Sequence, residues 1–326
     1  MKNGKPITLG EFELIRQIQQ QAGTAEHLLL GIGDDCAIQR QATDQELLTS
    51  TDLLIEGVHF DLRWTSLEDL GRKAVAVNLS DIAAMGGTPL SLFLGVGCPQ
   101  RLSSDDLQQF SRGFLSEAAK YSAVLAGGDT CRSPGPLLIS VTVQGCCARG
   151  RAIRRSGAAV GDAIYVSGTL GDSALALQQL QRGEVPLREL ASRHHTPQAR
   201  IALGAQLAKQ RLASAMLDVS DGLLGDLGHI ADQSSVGAVI ELNRLPLSTA
   251  FRAVLAQNPQ LIDLALTGGE DYELLFTSKA QDLEQQADLS PGVTRIGSIT
   301  AAAGIQCRWP DQSLYQCERG GFDHFA

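Results

Sequence analysis

Short apolar runs alternate with segments of helical periodicity along most of the chain. The apolar runs end in Gly, Ser, Thr and Asp, which is typical of strands followed by turns. Strands that alternate with helices indicate an α/β protein. The predicted strands are 28–32, 47–50, 90–96, 123–126, 137–146, 163–167, 238–242, 264–267 and 272–277.

Three helices are indicated by their start signals and by apolar residues three or four positions apart. The first begins near Ser66, where Asp69 completes a capping box. The second covers 107–121 and places Tyr121 on its buried stripe. The third is expected to begin with Thr196 as its N-cap, because a proline follows at the first helical position.

A basic, glycine-containing stretch at 149–157 divides the chain into halves of similar size. The length of 326 residues also suggests two domains, at roughly 150 residues each. We therefore expect an N-terminal domain over 1–148 and a C-terminal domain over 149–326.

Composition removes several classes of function. The formal net charge is −9, from 27 Lys and Arg against 36 Asp and Glu, and no basic block occurs, so nucleic acid is not an expected partner. No run of about 18 apolar residues is present, so we expect no membrane helix, and the basic start lacks the apolar segment of a secretory signal. The seven cysteines form no Cys-x-x-Cys pair, which favours reduced thiols in a cytoplasmic protein.

The positions of the acidic residues are the most informative feature. Many of them directly follow an apolar run that ends in small residues: Asp34, Asp35, Asp52, Asp129, Asp218, Asp221, Glu270 and Asp271. In α/β folds, side chains at the carboxyl ends of strands converge on one crevice. We therefore expect these acids to lie near one another.

Asp81 gives a second indication, because it lies on the apolar face of its helix, where an isolated charge is costly. Lysines are scarce, with six in the chain, so a metal ion is the favoured means of neutralisation. Hard cations prefer carboxylate and hydroxyl oxygens, and Ser50, Thr51 and Ser220 stand beside the acids. The pattern indicates a site for several Mg²⁺ ions, of the kind that holds a polyphosphate.

Each of these residues also has an ordinary structural explanation. Asp after Gly is a common turn former, and Ser220 fits a helix N-cap. The segment 167–172 is interpreted as a strand-to-helix turn, and the pair His194–His195 as solvated surface. The sequence has no P-loop, protein-kinase or His-Glu-x-x-His motif, which excludes those enzyme classes.

Together, the motifs resemble those of the thiamine-monophosphate kinase family. The matching segments are 31–35, 50–52, 56–60, 78–86, 127–130, 218–222, 268–274 and 321–325. They run in order from about residue 10 to the C-terminus. Related enzymes of the aminoimidazole-ribonucleotide synthetase superfamily share the acids and the Gly-Gly-Asp motif. They do not combine them with Gly-Val-His-Phe, Gly-Gly-Glu-Asp-Tyr-Glu-Leu and the Asp-His-Phe tail.

The resemblance implies a two-domain α/β (α+β) fold. Its N-terminal domain would have a mixed sheet with helices, bind ATP and Mg²⁺ and form a homodimer, and its C-terminal α/β domain would complete the substrate site. The implied reaction is ATP-dependent phosphorylation of thiamine monophosphate to thiamine diphosphate. Because the acceptor is an already ionised phosphate monoester, we expect direct in-line transfer without a phosphoenzyme.

The resemblance also implies a role for individual residues. The implied Mg²⁺ ligands are Asp35, Ser50, Thr51, Asp52, Asp81, Asp129, Asp218 and Asp221. Of these, the residues expected to be catalytic are Asp35, Asp52, Asp129 and Asp221. The implied ATP contacts are Tyr121, Gly128, Asp129, Arg155 and Ser220. The implied contacts to thiamine monophosphate are His59, Glu270 and Phe322.

The family often has Tyr or Trp where this chain has Phe322. A phenyl ring can still stack on the thiamine ring, but a hydroxyl contact is lost. Three alternatives remain open on the sequence: a related ATP-dependent enzyme with another acceptor, a metal-dependent phosphohydrolase that uses the same acids, and a non-catalytic dimeric scaffold.

Overall fold

The computed structural model describes residues 17–30, 38–40, 42–286, 288–289 and 292–317. The chain divides into two compact units. Unit 1 comprises the described residues up to Ile82 together with Thr88–Gly150, and unit 2 comprises Ala83–Gly87 and the described residues from Arg151 onward. Unit 1 ends at Gly150, two residues after the predicted boundary. The segment Ala83–Gly87, which the sequence does not mark, belongs with unit 2.

Unit 1 is built on a mixed sheet accompanied by helices. Its strands are β1 (Leu28–Leu30), β2 (Ile38–Gln39), β3 (Gln45–Ile55), β4 (Thr88–Pro99), β5 (Val124–Ser133) and β6 (Leu138–Ala148). Its helices are α1 (Leu67–Ala84), whose last two residues belong to unit 2, and α2 (Ser104–Lys120). The main sheet has the order β3-β6-β4-β5, in which β4 and β5 are parallel and the other pairs antiparallel.

Unit 2 contains a larger sheet with the order β13-β12-β9-β11-β7-β10-β8. Its strands are β7 (Ala163–Ser167), β8 (Ala215–Asp218), β9 (Gly237–Glu241), β10 (Leu274–Ser278), β11 (Val293–Thr300), β12 (Gly304–Arg308) and β13 (Leu314–Tyr315). Its helices are α3 (Asp172–Gln181), α4 (Arg188–His195), α5 (Ile201–Gln210), α6 (Leu223–Ser234), α7 (Thr249–Leu255) and α8 (Ile262–Thr267). The two units confirm the predicted α/β (α+β) fold class.

Strand β7 is buried at all five positions. Ile164 and Val166 belong to one hydrophobic cluster of unit 2, while Ala163 and Tyr165 belong to a second cluster. Successive side chains of a strand point to opposite faces, so the sheet is covered on both faces here. A strand buried on both faces has a continuous apolar sequence, and the predicted bounds 163–167 were correct for this reason.

Two predicted elements are wrong. The apolar run 264–267 belongs to helix α8, which buries Ile262, Ala265 and Leu266; a short apolar run does not distinguish a strand from a buried helical turn. Thr196 does not begin a helix but follows α4, where its hydroxyl donates to the Ser192 carbonyl at 3.1 Å. The next helix, α5, starts at Ile201.

The first two predicted helices are confirmed. The Ser66 hydroxyl accepts from the backbone N–H of Asp69 at 3.0 Å, as expected for the start of α1. Helix α2 buries the predicted stripe except for Tyr121, which follows the helix as its C-cap and is partly exposed. Within the described residues, neither of these helices nor any other is long and apolar enough to cross a membrane.

Candidate active site

In unit 1, two of the predicted metal-binding residues lie on one face of β3. Burial alternates along this strand, so that Leu48, Ser50, Asp52 and Leu54 point to the covered side. Asp81 projects from α1 towards the same side, and the Ser50 hydroxyl donates to Oδ2 of Asp81 at 2.5 Å. The structure therefore brings Ser50, Asp52 and Asp81 together.

The electrostatics of this group suit a cation. Burial, and after it the charge of Asp81, raise the pKa of the Asp52 carboxyl to about 6. Two neighbouring carboxylates and a hydroxyl supply the oxygen ligands that Mg²⁺ prefers, so the residues fit the metal ion that the resemblance implies. Among the described residues, no group of three or more His, Cys, Asp or Glu side chains is arranged to hold a metal ion. Asp35 lies outside them.

Thr51 lies apart from this group. Its side chain is on the exposed face of β3, where its hydroxyl is 3.1 Å from both the Val141 carbonyl and the Thr142 hydroxyl. Strand alternation explains the separation, because adjacent residues of a strand face opposite sides.

Asp129 and Gly128 lie on β5, the strand at the opposite edge of the sheet from β3. Both residues are exposed. Asp52 is in register with Val141, Val141 with Leu94, and Leu94 with Gly128. Three interstrand steps of about 4.8 Å separate the two edge strands by roughly 14 Å if the sheet is flat.

The expectation that these acids follow the carboxyl ends of strands is wrong for Asp52 and Asp129 in unit 1. Asp52 and Asp129 lie within β3 and β5, and the sheet is mostly antiparallel. Its strands are longer than predicted because they continue through small and polar residues, which sequence reasoning takes for turns.

Two further residues of unit 1 that are predicted to contact a substrate lie just after a helix or a strand. Tyr121 is partly exposed at the end of α2. His59 follows β3, and its Nδ1 accepts from the backbone N–H of Ile55 at 3.0 Å. That bond places the proton of a neutral imidazole on Nε2. Phe322, like Asp35, lies outside the described residues.

In unit 2, the loop between β8 and α6 carries Asp218, Ser220 and Asp221. Its backbone is fastened to the segment before β10, since the N–H of Glu270 donates to the Ser220 carbonyl at 2.8 Å and that of Tyr272 to the Val219 carbonyl at 2.9 Å. Gly269 is required at this crossing, because a Cβ there would lie 2.3 Å from the Ser220 oxygen. Four predicted site residues thus lie in two adjoining loops.

Asp226 holds the same loop from its other side. Nothing in the sequence indicates this role. Its Oδ2 accepts from the backbone N–H groups of Ser220, Asp221 and Gly222 at 3.0, 3.1 and 3.1 Å. Burial, and then the charge of Asp221, raise the pKa of Asp226 to about 7, although the three N–H groups favour its ionised form.

His194 is buried, which corrects the interpretation of His194–His195 as solvated surface. Only 2% of its surface is exposed. Its Nδ1 lies 3.0 Å from the Ser173 hydroxyl and 3.4 Å from Oε2 of Glu270. Glu270 has a φ of 67°, an uncommon value for a residue with a side chain. The surrounding fold therefore holds the backbone of Glu270 in this conformation, and its carboxylate lies against His194.

The neighbouring acids of this segment have a structural role. Glu273 is fully buried, and its carboxylate accepts from Arg193, from Arg200 and from the Ser167 hydroxyl. Asp271 accepts from the N–H of Gly171 at 2.8 Å, and burial raises its pKa to about 8. Both carboxylates are buried, whereas Glu270 is partly exposed and is the acid of this segment that a ligand can reach.

Segment 167–172 is the predicted strand-to-helix turn, joining β7 to α3. Arg155, the predicted ATP contact, is exposed in the chain that leads into unit 2. An exposed guanidinium can pair with phosphate oxygens through two hydrogen bonds.

Two family models match the chain. The AIR synthase related protein N-terminal domain covers residues 33–147, and the AIR synthase related protein C-terminal domain covers residues 159–310. Together they account for most of both units.

Relatives of the same length are found among characterised proteins and solved structures. The thiamine-monophosphate kinase of Haemophilus influenzae is 42% identical, over 98% of this chain and 99% of its own. The crystal structure of thiamine-monophosphate kinase from Stenotrophomonas maltophilia is 40% identical, with a TM-score of 0.83 over 96% of this chain and 100% of that one. The structure of AaThiL complexed with AMPPCP and TMP is 31% identical, with a TM-score of 0.77 over 97% of each chain. The chain belongs to the thiamine-monophosphate kinase family.

Proposed function

We propose that this protein transfers the γ-phosphoryl group of ATP to thiamine monophosphate and so forms thiamine diphosphate. The full-length similarity to thiamine-monophosphate kinases supports the reaction. AaThiL was solved with AMPPCP, an ATP analogue, and TMP, which is the expected acceptor. The observation that carries the proposal is the group formed by Ser50, Asp52 and Asp81, because it offers oxygen ligands and negative charge of the kind that suits the metal ions of a bound nucleotide.

Mg²⁺ is the proposed metal, and it would supply charge neutralisation to the phosphates and orientation of the two reactants. In unit 1, Ser50, Asp52 and Asp81 would hold it, together with Asp35. In unit 2, Asp218 and Asp221 would provide a second set of ligands. The role of Thr51 as a Mg²⁺ ligand stays a prediction, and its hydroxyl is directed at Thr142.

We further propose that Asp52 and Asp129 serve different ions. Each Mg²⁺–oxygen bond is about 2.1 Å long, so two carboxylates at opposite edges of a four-stranded sheet do not share one ion. A polyphosphate with several ions fits such a spread, which agrees with the several Mg²⁺ ions expected from the sequence. Gly128 and Tyr121 would then contact the nucleotide near Asp129, and Arg155 and Ser220 would contact its phosphates.

The acceptor needs no general base. A phosphate monoester has a second pKa of about 6 and is largely ionised at neutral pH. The obstacle is repulsion between two anions, so the acids and their cations act by position and charge. Transfer is direct, and no aspartyl or histidyl phosphate forms.

Glu270 is the residue proposed to recognise the thiamine part. The thiazolium ring carries a permanent positive charge, and a carboxylate held by the fold complements it. His59 and Phe322 are the other proposed contacts, the first through its Nε2–H and the second by stacking.

The active form is proposed to be a homodimer in the cytoplasm. The exposed face of β3 carries Leu47 and Leu53, which are 44% and 54% exposed. A second copy of the same sheet would cover these side chains. Leu53→Asp should convert a dimer to monomers in analytical ultracentrifugation; an unchanged sedimentation coefficient would contradict the proposed interface.

The reaction is tested by a coupled ADP-release assay with ATP and Mg²⁺. Thiamine monophosphate, free thiamine and no acceptor are compared, and the product is identified by mass. ADP and thiamine diphosphate formed only with the monophosphate would support the proposal. ATP turnover without this product would point to another acceptor, and phosphate-ester cleavage without ATP would point to a phosphohydrolase.

A further inference from the structure

The loop Asp218–Gly222 directs three successive backbone N–H groups at a single oxygen. Those of Ser220, Asp221 and Gly222 all donate to Oδ2 of Asp226, within 3.1 Å. Successive N–H groups that converge in this way form a nest, which in many proteins binds a phosphate or another anion. Here the group in the nest is a carboxyl side chain of the same protein, and it is 97% buried, since 3% of its surface is exposed.

The opposite side of this loop is also occupied. The Ser220 carbonyl accepts from the N–H of Glu270 at 2.8 Å. Gly222 has a φ of 110°, and a Cβ on it would lie 2.6 Å from the Thr267 backbone. The main chain of the loop is therefore used on both sides. A ligand of this loop would therefore have to bind its side chains, and the proposed ones are those of Asp218, Ser220 and Asp221.

We propose that Asp226 is a positioning residue that fills the anion nest before α6 and thereby makes this loop select cations instead of phosphate. The proposal rests on the proposed role of Asp218 and Asp221 as Mg²⁺ ligands. Asp226 itself touches no substrate. At this loop, the phosphates of the nucleotide are recognised through bound cations and the Ser220 hydroxyl, and not through backbone N–H groups.

The position of Asp226 distinguishes it from an ordinary helix cap. An N-cap side chain precedes the helix and accepts from N–H groups of the first turn. Asp226 lies inside α6 and accepts from residues that precede the first helical residue, Leu223. The contact with the Gly222 N–H resembles the return contact of a capping box, but the contacts with Ser220 and Asp221 reach beyond the helix and hold residues that carry the proposed ligands.

The test compares variants of the full-length protein without nucleotide. Asp226→Ala empties the nest, and Asp226→Asn keeps an oxygen that can accept from the N–H groups. Asp232→Ala removes an exposed acid near the other end of the same helix and is the matched control. Mn²⁺ binding is measured by electron paramagnetic resonance, with Asp218→Asn identifying the ions that this loop holds. Thermal unfolding is followed with and without orthophosphate.

Asp218→Asn identifies the Mn²⁺ ions that depend on this loop. Asp226→Ala should weaken the binding of those same ions by about tenfold or more, as removal of an outer-shell partner does at other metal sites. Orthophosphate should raise its melting temperature, because the nest is then open to an anion, and should leave that of the wild type unchanged. Asp226→Asn should stay within about threefold of the wild-type affinity. Asp232→Ala should match the wild type in both measurements.

A folded Asp226→Ala protein with wild-type Mn²⁺ affinity and no response to orthophosphate would overturn the proposal. If this variant does not fold, Asp226→Ser, whose hydroxyl can satisfy fewer of the three N–H groups, takes its place with the same criteria. If Asp218→Asn leaves Mn²⁺ binding unchanged, the assignment of the metal ligands in unit 2 fails instead. That result is distinct from a failure of the role of Asp226.

Discussion

Asp52 in unit 1 is partly buried and Glu273 in unit 2 is fully buried, but the surroundings of the two carboxylates have opposite charge. Glu273 is fully buried between Arg193 and Arg200, which neutralise it. Asp52 is next to Asp81, and this second negative charge raises its pKa further. The comparison shows that burial of an acid does not by itself indicate function. The sign of its neighbours separates an acid that completes the fold from one arranged for a cation.

The largest effect is expected for Asp52→Asn. Removing one charge from the proposed metal group should lower turnover of thiamine monophosphate about 1,000-fold, since metal-based charge stabilisation contributes several kcal/mol. Circular dichroism should show an unchanged fold. Asp44→Asn, an exposed acid just before β3, is the control and should keep its activity. Turnover near the wild-type value in Asp52→Asn would remove Asp52 from the site.

Glu273→Gln should affect stability instead. It leaves two buried guanidinium groups without their carboxylate, which costs about 3–5 kcal/mol. Urea unfolding should show this loss. The control is Glu284→Gln, which weakens a partly exposed ion pair with Arg244 at 3.1 Å and should cost less than about 1 kcal/mol. Equal losses of unfolding free energy in the two variants would show that the buried carboxylate of Glu273 is no more important to stability than the partly exposed one of Glu284.

The pH dependence of stability should identify Asp52 in the metal-free protein. Its pKa rises from 3.8 to about 6 on folding, so the folded state binds the proton more tightly and the protein loses stability as the pH increases through this window. Asp52→Asn removes this contribution. In EDTA, the variant should match the wild type near pH 3 and exceed it by about 2 kcal/mol above pH 6.5. A difference that does not vary with pH would show that Asp52 is not perturbed.

The smallest effect is expected for His194→Gln. Its contact with Glu270 is a single polar interaction, worth about 1 kcal/mol, so the KM for thiamine monophosphate should rise about fivefold with little change in kcat. His195→Gln is the control, and no such rise in KM is expected for it. A fall in kcat with an unchanged KM would indicate that His194 does not act through substrate binding.

The sequence predicted most elements with strong periodicity or full burial. Strand β7 and helices α1 and α2 are examples, because their patterns follow from burial on one or both faces. The sequence failed at the run 264–267, where length and composition suit a strand and a helical turn equally. It also ended β3 and β5 too early, since polar residues inside a strand resemble a turn.

The acids of the candidate site could be predicted from the sequence, but the residues that position them could not. Asp52, Asp81 and Asp218 were identifiable from motifs that carry several acids and hydroxyls. Asp226 and His194 were not, because their importance comes from contacts with residues distant in sequence or with backbone N–H groups. Such contacts leave no periodic pattern.

The most direct test of the central claim is a count of Mn²⁺ ions bound in the presence of AMPPCP, for the wild type, Asp52→Asn and the control Asp44→Asn. We expect Asp52→Asn to lose at least one ion, or to bind it about 100-fold more weakly, and Asp44→Asn to retain all of them. The same number and affinity of ions in Asp52→Asn and the wild type would contradict the claim that Asp52 and Asp81 are arranged for a cation.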